Sequence, residues 1–149
     1  MFMDERSEFC DAVALNTGAP ATYLIGDQID LGAEFRDIGN GETTYVVFVV
    51  STTATSGGSA TAEFQIASDD TAAISTSTAT PHVTVGPFPV ADMLAGTVLA
   101  VVALPSQSTY EQFLGVLQTT GTAAFTAGNV DVFLTLDGHN WRAYADNEK

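Results

Sequence analysis

Catalytic and metal-binding side chains are sparse in this sequence. His82 and His139 are the only histidines, and Cys10 is the only cysteine. A cupin-type metal site needs several histidines and a carboxylate at strand spacing, and the two histidines here do not share a strand. The sequence also has no GxSxG elbow, phosphate-binding loop or HExxH motif. It therefore predicts no catalytic residues, no metal site and no bound cofactor, and we expect no enzymatic activity.

The cysteine and the paired carboxylates each have an ordinary structural interpretation. Cys10 has no basic neighbour that would activate the thiol, so we predict a packing residue. Asp69–Asp70 and the pair Asp27 and Asp30 offer oxygen ligands that suit a hard cation such as Ca²⁺. Neither pair has a known calcium-loop spacing, and Asp69–Asp70 lies in a turn sequence where Asp bonds its own backbone. Turn chemistry is therefore the favoured interpretation.

The charge balance excludes several partners. The chain of 149 residues has a formal charge of −14, from 18 acidic and 4 basic side chains, although 46% of its residues are hydrophobic. Four scattered cations cannot form the basic patch that binds nucleic acid through its phosphates. Anionic membrane surfaces repel such a chain for the same reason. We therefore expect a folded protein that binds neither nucleic acid nor membranes.

Targeting and membrane signals are missing from the sequence. The first residues lack the basic region and apolar run of a signal peptide. The longest apolar runs, at 45–50 and 98–104, fall far short of the roughly 20 residues that a membrane helix needs. The sequence predicts a soluble protein that is synthesised in a cytoplasm.

Alternating apolar and polar residues predict β-strands. Thr, Val, Ser, Ala and Gly dominate the chain, and turn sequences rich in Gly, Asn, Asp and Ser recur along its length. Period-two alternation predicts strands with one buried face. These strands fall at 23–31, 61–67, 82–85 and 130–137.

Three further strands are apolar on both faces. They lie at 45–50, 98–104 and 113–117, and Phe133 likewise stands on the polar side of its own strand. Because a sandwich strand has only one face on its own core, the second face must meet something else. A loop or arm of the same chain and a second subunit both remain open at this point.

The strand pattern predicts a single all-β domain over residues 1–149. About eight short strands with turns throughout are typical of a sandwich or barrel, so jelly rolls, immunoglobulin-like sandwiches and closed barrels all fit. A short helical connector is predicted near 89–95, with Pro89 at its start and Gly96 at its end. Residues 1–18 and 139–149 are predicted to be extended terminal arms.

Short motifs occur in a characteristic order along nearly the whole chain. They are Phe9–Ala12, Ile29–Gly32, Arg36–Gly39, Tyr45–Val50, Gly57–Gly58, Phe64–Ile66, Ser68–Asp70, Leu94–Thr97, Leu104–Pro105, Gly121–Thr122 and Phe125–Gly128. In this order and spacing they resemble the Bbp16-like cement proteins of tailed bacteriophage capsids. The sequence departs from that family at Thr109–Gln112, where the family often has a basic, aromatic stretch, and in the tail from His139.

The resemblance implies a jelly roll with a structural role and no active site. Proteins of this kind are expected to be homotrimers on the outer surface of the phage head, at three-fold and quasi-three-fold positions. There they would hold together neighbouring copies of the major capsid protein in the virion.

Candidate contact residues follow from the sequence and the implied role. The strands that are apolar on both faces and Phe133 are predicted to form subunit contacts. The aromatic residues near the ends, which are Phe2, Phe9, Trp141 and Tyr144, are predicted to include capsid contacts.

Two other functions remain as alternatives. A glycan- or receptor-binding β-sandwich, from a phage tail or a secreted protein, would present exposed aromatic residues on one sheet face. A small cupin-type enzyme would hold a metal ion, which the scarcity of histidines already disfavours.

Overall fold

The computed structural model describes residues 5–33, 38, 41–106 and 109–138. Eight strands form two four-stranded antiparallel sheets. The strands are β1 (Glu8–Ala14), β2 (Thr22–Asp30), β3 (Tyr45–Ser56), β4 (Thr61–Asp69), β5 (Thr80–Pro89), β6 (Val98–Ala103), β7 (Phe113–Gly121) and β8 (Phe125–Thr135). Short 3₁₀ turns lie at Glu5–Ser7 and Val90–Asp92.

The strand order is that of a jelly roll. One sheet, called sheet A here, has the order β1-β8-β3-β6, and the other, sheet B, has the order β2-β7-β4-β5. Consecutive strands of the chain mostly alternate between the sheets, as in the eight-stranded double-sheet jelly roll. The predicted fold class is confirmed.

The core lies between the two sheets and takes one side of nearly every strand. In β4, Ala62, Phe64 and Ile66 point inward and are fully buried, as the alternation predicts. Phe64 connects the sheets, because its ring lies 5.8 Å from the ring of Phe48 in β3. It also lies 6.4 Å from the ring of Phe88 in β5. Such aromatic contacts stabilise the core beyond the effect of burial alone.

The N-terminal region departs from the prediction. Residues 8–14 form β1, an edge strand of sheet A, and Phe9 and Cys10 in it are buried in the core. The prediction of an extended arm over residues 1–18 is therefore wrong for this segment. The predicted tail at 139–149 lies outside the described residues.

The predicted connector is present but shorter than expected. It is a 3₁₀ turn of three residues, Val90–Asp92, which follows β5 directly at Pro89. Gly96 ends the connection with a φ of 82°, a conformation that glycine adopts without strain. This connection brings the chain from edge strand β5 of sheet B to edge strand β6 of sheet A.

Candidate functional surfaces

The outer face of sheet A carries an apolar cluster that is already covered. Val47, Val49 and Phe133 form it, with Val98 and Val101 packed alongside. Phe133 is only 2% exposed, although the structure contains a single chain. Cover by a loop or arm of the same chain was one of the two possibilities for this face, and the low exposure of Phe133 favours it. The subunit contact of Phe133 stays a prediction.

The outer face of sheet B is covered by a loop. Ile74, from the connection between β4 and β5, is buried against Ala67 and Leu117. Gly115 in β7 makes room for it, because a Cβ at this position would lie 2.5 Å from Ile74 Cδ1. The second apolar face of the strand at 113–117 thus packs on a loop of the same chain.

The remaining predicted contact residues divide into two groups. Phe9 is 1% exposed and packs in the core between the sheets. It belongs to strand β1 and not to an arm, and its capsid contact stays a prediction. Phe2, Trp141 and Tyr144 lie outside the described residues.

A polar cluster joins three distant parts of the chain at the margin of sheet B. Ser68 in β4 is completely buried, and its Oγ lies 2.8 Å from Nε2 of His82 in β5. The same hydroxyl donates to Glu111 Oε2 at 3.2 Å and accepts from the Glu111 backbone N–H at 3.1 Å. A hydroxyl has one proton to donate, so the bond with His82 requires the imidazole Nε2–H to be the donor.

This proton order differs from that of a catalytic Ser–His pair. In a nucleophilic serine enzyme, the imidazole accepts the serine proton and an acid orients the imidazole from its other nitrogen. Here the Glu111 carboxylate accepts the hydrogen bond of the Ser68 hydroxyl directly. A substrate also has no access to Ser68 Oγ, because the residue is fully buried. The cluster therefore has the arrangement of a structural hydrogen-bond network.

The network fastens the connection between β6 and β7 to sheet B. The Tyr110 ring lies 4.2 Å from the His82 ring, and its hydroxyl donates to the Pro105 carbonyl at 2.6 Å. Burial raises the pKa of Tyr110 to about 12. Tyr110 and Glu111 belong to the segment where the sequence departs from the Bbp16-like pattern, and both hold this connection in place.

The network predicts a pH-dependent contribution to stability. Burial lowers the pKa of His82 below its usual 6.5, and the nearby Glu111 carboxylate opposes part of that shift. The unfolded chain then binds a proton more readily than the folded chain. The contribution of neutral His82 to the free energy of unfolding is complete above about pH 6.5. It is lost as the pH falls through the folded-state pKa of His82. In His82→Gln, the free energy of unfolding should fall less than in the wild type between about pH 7 and pH 5.

Urea unfolding at several pH values measures this difference. Glu111→Gln is the matched variant, because loss of the carboxylate lowers the folded-state pKa of His82 further and leaves its unfolded-state pKa unchanged. The loss of stability should therefore begin at the same pH, extend to lower pH and become larger than in the wild type. Parallel stability curves for the wild type and His82→Gln would contradict the role assigned to His82.

Cys10 and Asp69 behave as the sequence predicts. Burial is the main reason that the pKa of Cys10 rises to about 12, with Asp131 and Asp27 adding to it, so the thiol is a packing residue. The Asp69 carboxylate accepts hydrogen bonds from the backbone of Thr71 at 3.2 Å and of Ser75 at 3.0 Å. The Ser75 bond is the largest of the effects that lower its pKa. Asp69 thus organises the turn after β4, and the described residues contain no cluster of metal-ligating side chains.

Comparison with known proteins assigns the chain to a family. The sequence model of one family, Bbp16, matches residues 9–134. This match runs from β1 to β8 and so includes every strand of the jelly roll. The chain belongs to the Bbp16 family. Bbp16 is a phage-associated family, which indicates a phage-related structural protein of the virion. No curated protein matches the chain.

Within the described residues, no helix is long and apolar enough to cross a membrane.

The contacts between Ser68, His82 and Glu111 could not be predicted from the sequence. Ser68 is 14 positions from His82 and 43 positions from Glu111 along the chain. A hint was available in the alternation of β5, which places His82 on the side opposite Val83 and Val85.

Proposed function

We propose that this protein is a cement protein of a tailed-phage capsid. It binds the outer surface of the head as a homotrimer, at three-fold and quasi-three-fold positions, and stabilises the lattice of the major capsid protein. The observation that carries the proposal is the Bbp16 match over residues 9–134, from the first strand to the last. In this role the protein is not an enzyme, needs no cofactor and binds neither nucleic acid nor membrane.

The physical mechanism of the proposed role is multivalent binding. Each subunit of a trimer makes its own contact with a capsid protein, and once the first contact forms, the others form at high effective concentration. Weak individual contacts therefore give stable attachment. The net charge of −14 supports a position outside the capsid, because such a chain has no electrostatic attraction to packaged DNA.

The rival function of glycan binding has no support from the described residues. It requires exposed aromatic side chains on a sheet face. The exposed large apolar side chains in this part of the chain are Leu94 and Leu136, and neither is aromatic.

Binding to capsids tests the proposal directly. Purified protein, added to expanded phage capsids stripped of it, should cosediment with them and saturate at a fixed ratio to the major capsid protein. Electron microscopy should then show added density at the three-fold and quasi-three-fold positions. The decorated capsids should release their DNA at a higher temperature than bare capsids, because each bound trimer bridges several capsid subunits.

Two controls separate specific decoration from other outcomes. An unrelated folded protein of similar negative charge should remain in the supernatant. Absence of binding, or binding restricted to the phage tail, would contradict the cement role.

A further inference from the structure

Acidic residues are distributed unevenly around the sandwich. Between Asp70 and Glu111 the sequence contains a single carboxylate, that of Asp92. This segment forms β5, the 3₁₀ turn and β6, which are edge strands of the two sheets and contact each other on one side of the sandwich. We call this side the β5–β6 side. The described residues of these elements carry one carboxylate, that of Asp92, in a protein whose net charge is −14.

The opposite side of the sandwich has the reverse character. Its edge strands are β1 and β2, which also contact each other, and β8 lies next to β1. These three strands carry five carboxylates: Glu8, Asp11, Asp27, Asp30 and Asp131. Two copies of the chain would repel each other if they met on this acidic side.

The strand edges also differ in how they are protected against pairing with another chain. Natural edge strands are usually shielded by charges, prolines or bulges. In β1, a bulge places Ala12 at a positive φ, and side chains bond its backbone: Asp131 Oδ1 accepts from the Ala12 N–H, and Asn129 Nδ2 donates to the Ala12 carbonyl. The β5 edge contains Pro81, Pro87 and Pro89, which cannot donate to a neighbouring strand.

Strand β6 has none of the charges or prolines that shield the other edges. Its sequence is VLAVVA, and beyond a bulge near Leu99 it pairs regularly with β3 from Ala100 to Ala103. The Leu104 N–H donates to the Thr44 carbonyl at 2.8 Å. Because antiparallel pairs alternate, the peptide groups of Val101 and Ala103 must point away from β3. In the described part of the chain, no strand pairs with this outer edge.

We propose that a second copy of this chain packs on the β5–β6 side, with the outer edge of β6 at the centre of the contact. Another copy is the occupant that the charge distribution favours, because copies of so acidic a protein can approach closely only where carboxylates are few. The outward peptide groups of β6 provide hydrogen bonds, and Leu94, which is 54% exposed beside it, provides apolar surface.

The proposal rests on the oligomer in the proposed function and names its subunit contact. A closed trimer uses heterologous contacts, in which two different patches of each chain meet. The β5–β6 side offers two different edge strands next to each other. The acidic side then points away from the neighbouring subunits.

Two exposed alanines provide a matched test. Ala103 in β6 and Ala14 in β1 both lie on edge strands. The N–H of Ala14 points away from its ladder as well, because the next residue, Leu15, donates to the Gly128 carbonyl at 2.9 Å. Proline at such positions leaves the ladder intact. Ala103→Pro and Ala103→Glu should weaken self-association by about tenfold or more, which corresponds to about 1.4 kcal/mol, whereas Ala14→Pro and Ala14→Glu should leave it unchanged.

Sedimentation velocity of the purified protein over a range of concentrations measures the association. Circular dichroism shows whether each variant is folded. Leu94→Glu provides a second variant that does not touch β6, and Leu136→Glu is its control, since Leu136 is also exposed, at 64%, but lies after β8. Leu94→Glu should favour monomers, and Leu136→Glu should not.

The outcomes distinguish this contact from the cement role. The contact is overturned if the wild type is monomeric, if folded Ala103 and Leu94 variants associate normally, or if the Ala14 variants dissociate instead. Capsid binding is scored separately. A protein that decorates capsids without using β6 retains the cement role and loses this contact, whereas a β6-dependent oligomer that ignores capsids loses the cement role alone.

Discussion

Replacing Phe133 with aspartate should unfold most of the protein rather than merely separate its subunits. Phe133 is 2% exposed and packs against Val47 and Val49 on the outer face of sheet A. Loss of a buried phenylalanine side chain costs about 3–5 kcal/mol, and an unpaired carboxylate at the same place adds a large desolvation penalty. The total approaches the whole stability of an ordinary domain, about 5–15 kcal/mol. Far-ultraviolet circular dichroism and urea titration would measure the loss.

Two further variants show whether the effect comes from burial. Phe133→Leu keeps an apolar side chain and should cost much less than the aspartate. Leu136→Asp places the same charge three residues along the chain on a side chain that is 64% exposed, so it should change stability by no more than about 0.5 kcal/mol. A Phe133→Asp protein that stays folded and becomes monomeric would instead support the subunit contact that the sequence suggested.

Gly26→Ala should destabilise the domain by about 3 kcal/mol, since two separate penalties apply. Gly26 has a φ of +67°, which is unfavourable for any residue with a side chain. A Cβ at this position would also collide with the backbone carbonyl of Phe9 and with Cys10 Sγ. Because a backbone atom cannot rotate out of the way, β1 and β2 would have to separate.

Gly57→Ala is the matched control. Gly57 lies outside the left-handed region, and nothing would lie within 4 Å of an added Cβ. The free energy of unfolding of the Gly57→Ala variant should stay within about 0.5 kcal/mol of the wild-type value. Equal urea midpoints for the two alanine variants would refute the argument from close approach at Gly26.

The faces of the inner strands could be predicted from the sequence, since alternation reports burial directly. Ala62, Phe64 and Ile66 share one side of β4, and a strand with that pattern has only one way to bury it. The jelly-roll order needed more than alternation, because the same pattern fits several sandwiches and barrels. The resemblance of the ordered motifs to one family supplied that choice.

Strand β1 could not be predicted, because its polar residues resemble those of an arm. Its backbone partners lie more than 110 residues away, at Asn129 and Asp131, and nothing near Ala12 in the sequence indicates them. The burial of Phe133 could not be predicted for a similar reason. An apolar residue on the polar face of a strand gives the same sequence pattern whether a partner or its own chain buries it.

The surface proposed for self-association could be recognised only in the folded structure, not in the sequence. The sequence shows a stretch with one carboxylate, but not that its two strands lie at adjacent sheet edges. The acidic residues of β1, β2 and β8 are far apart along the chain and become a single side only in the sandwich. Charge patterning therefore predicted an acidic protein without predicting that β1, β2 and β8 bring five carboxylates together while β5 and β6 have none.

The pairing of β1 with β8 constrains when the protein can fold. Glu8 lies opposite Phe133, and Val13 lies opposite Val130, so the edge of sheet A joins segments more than 115 residues apart. Such non-local contacts slow folding, because the chain must close a long loop before any of them forms. During translation, β1 stays unpaired until β8 has left the ribosome, and Phe9 and Cys10 stay exposed to solvent for that time. The completed jelly roll should therefore form only after synthesis of β8.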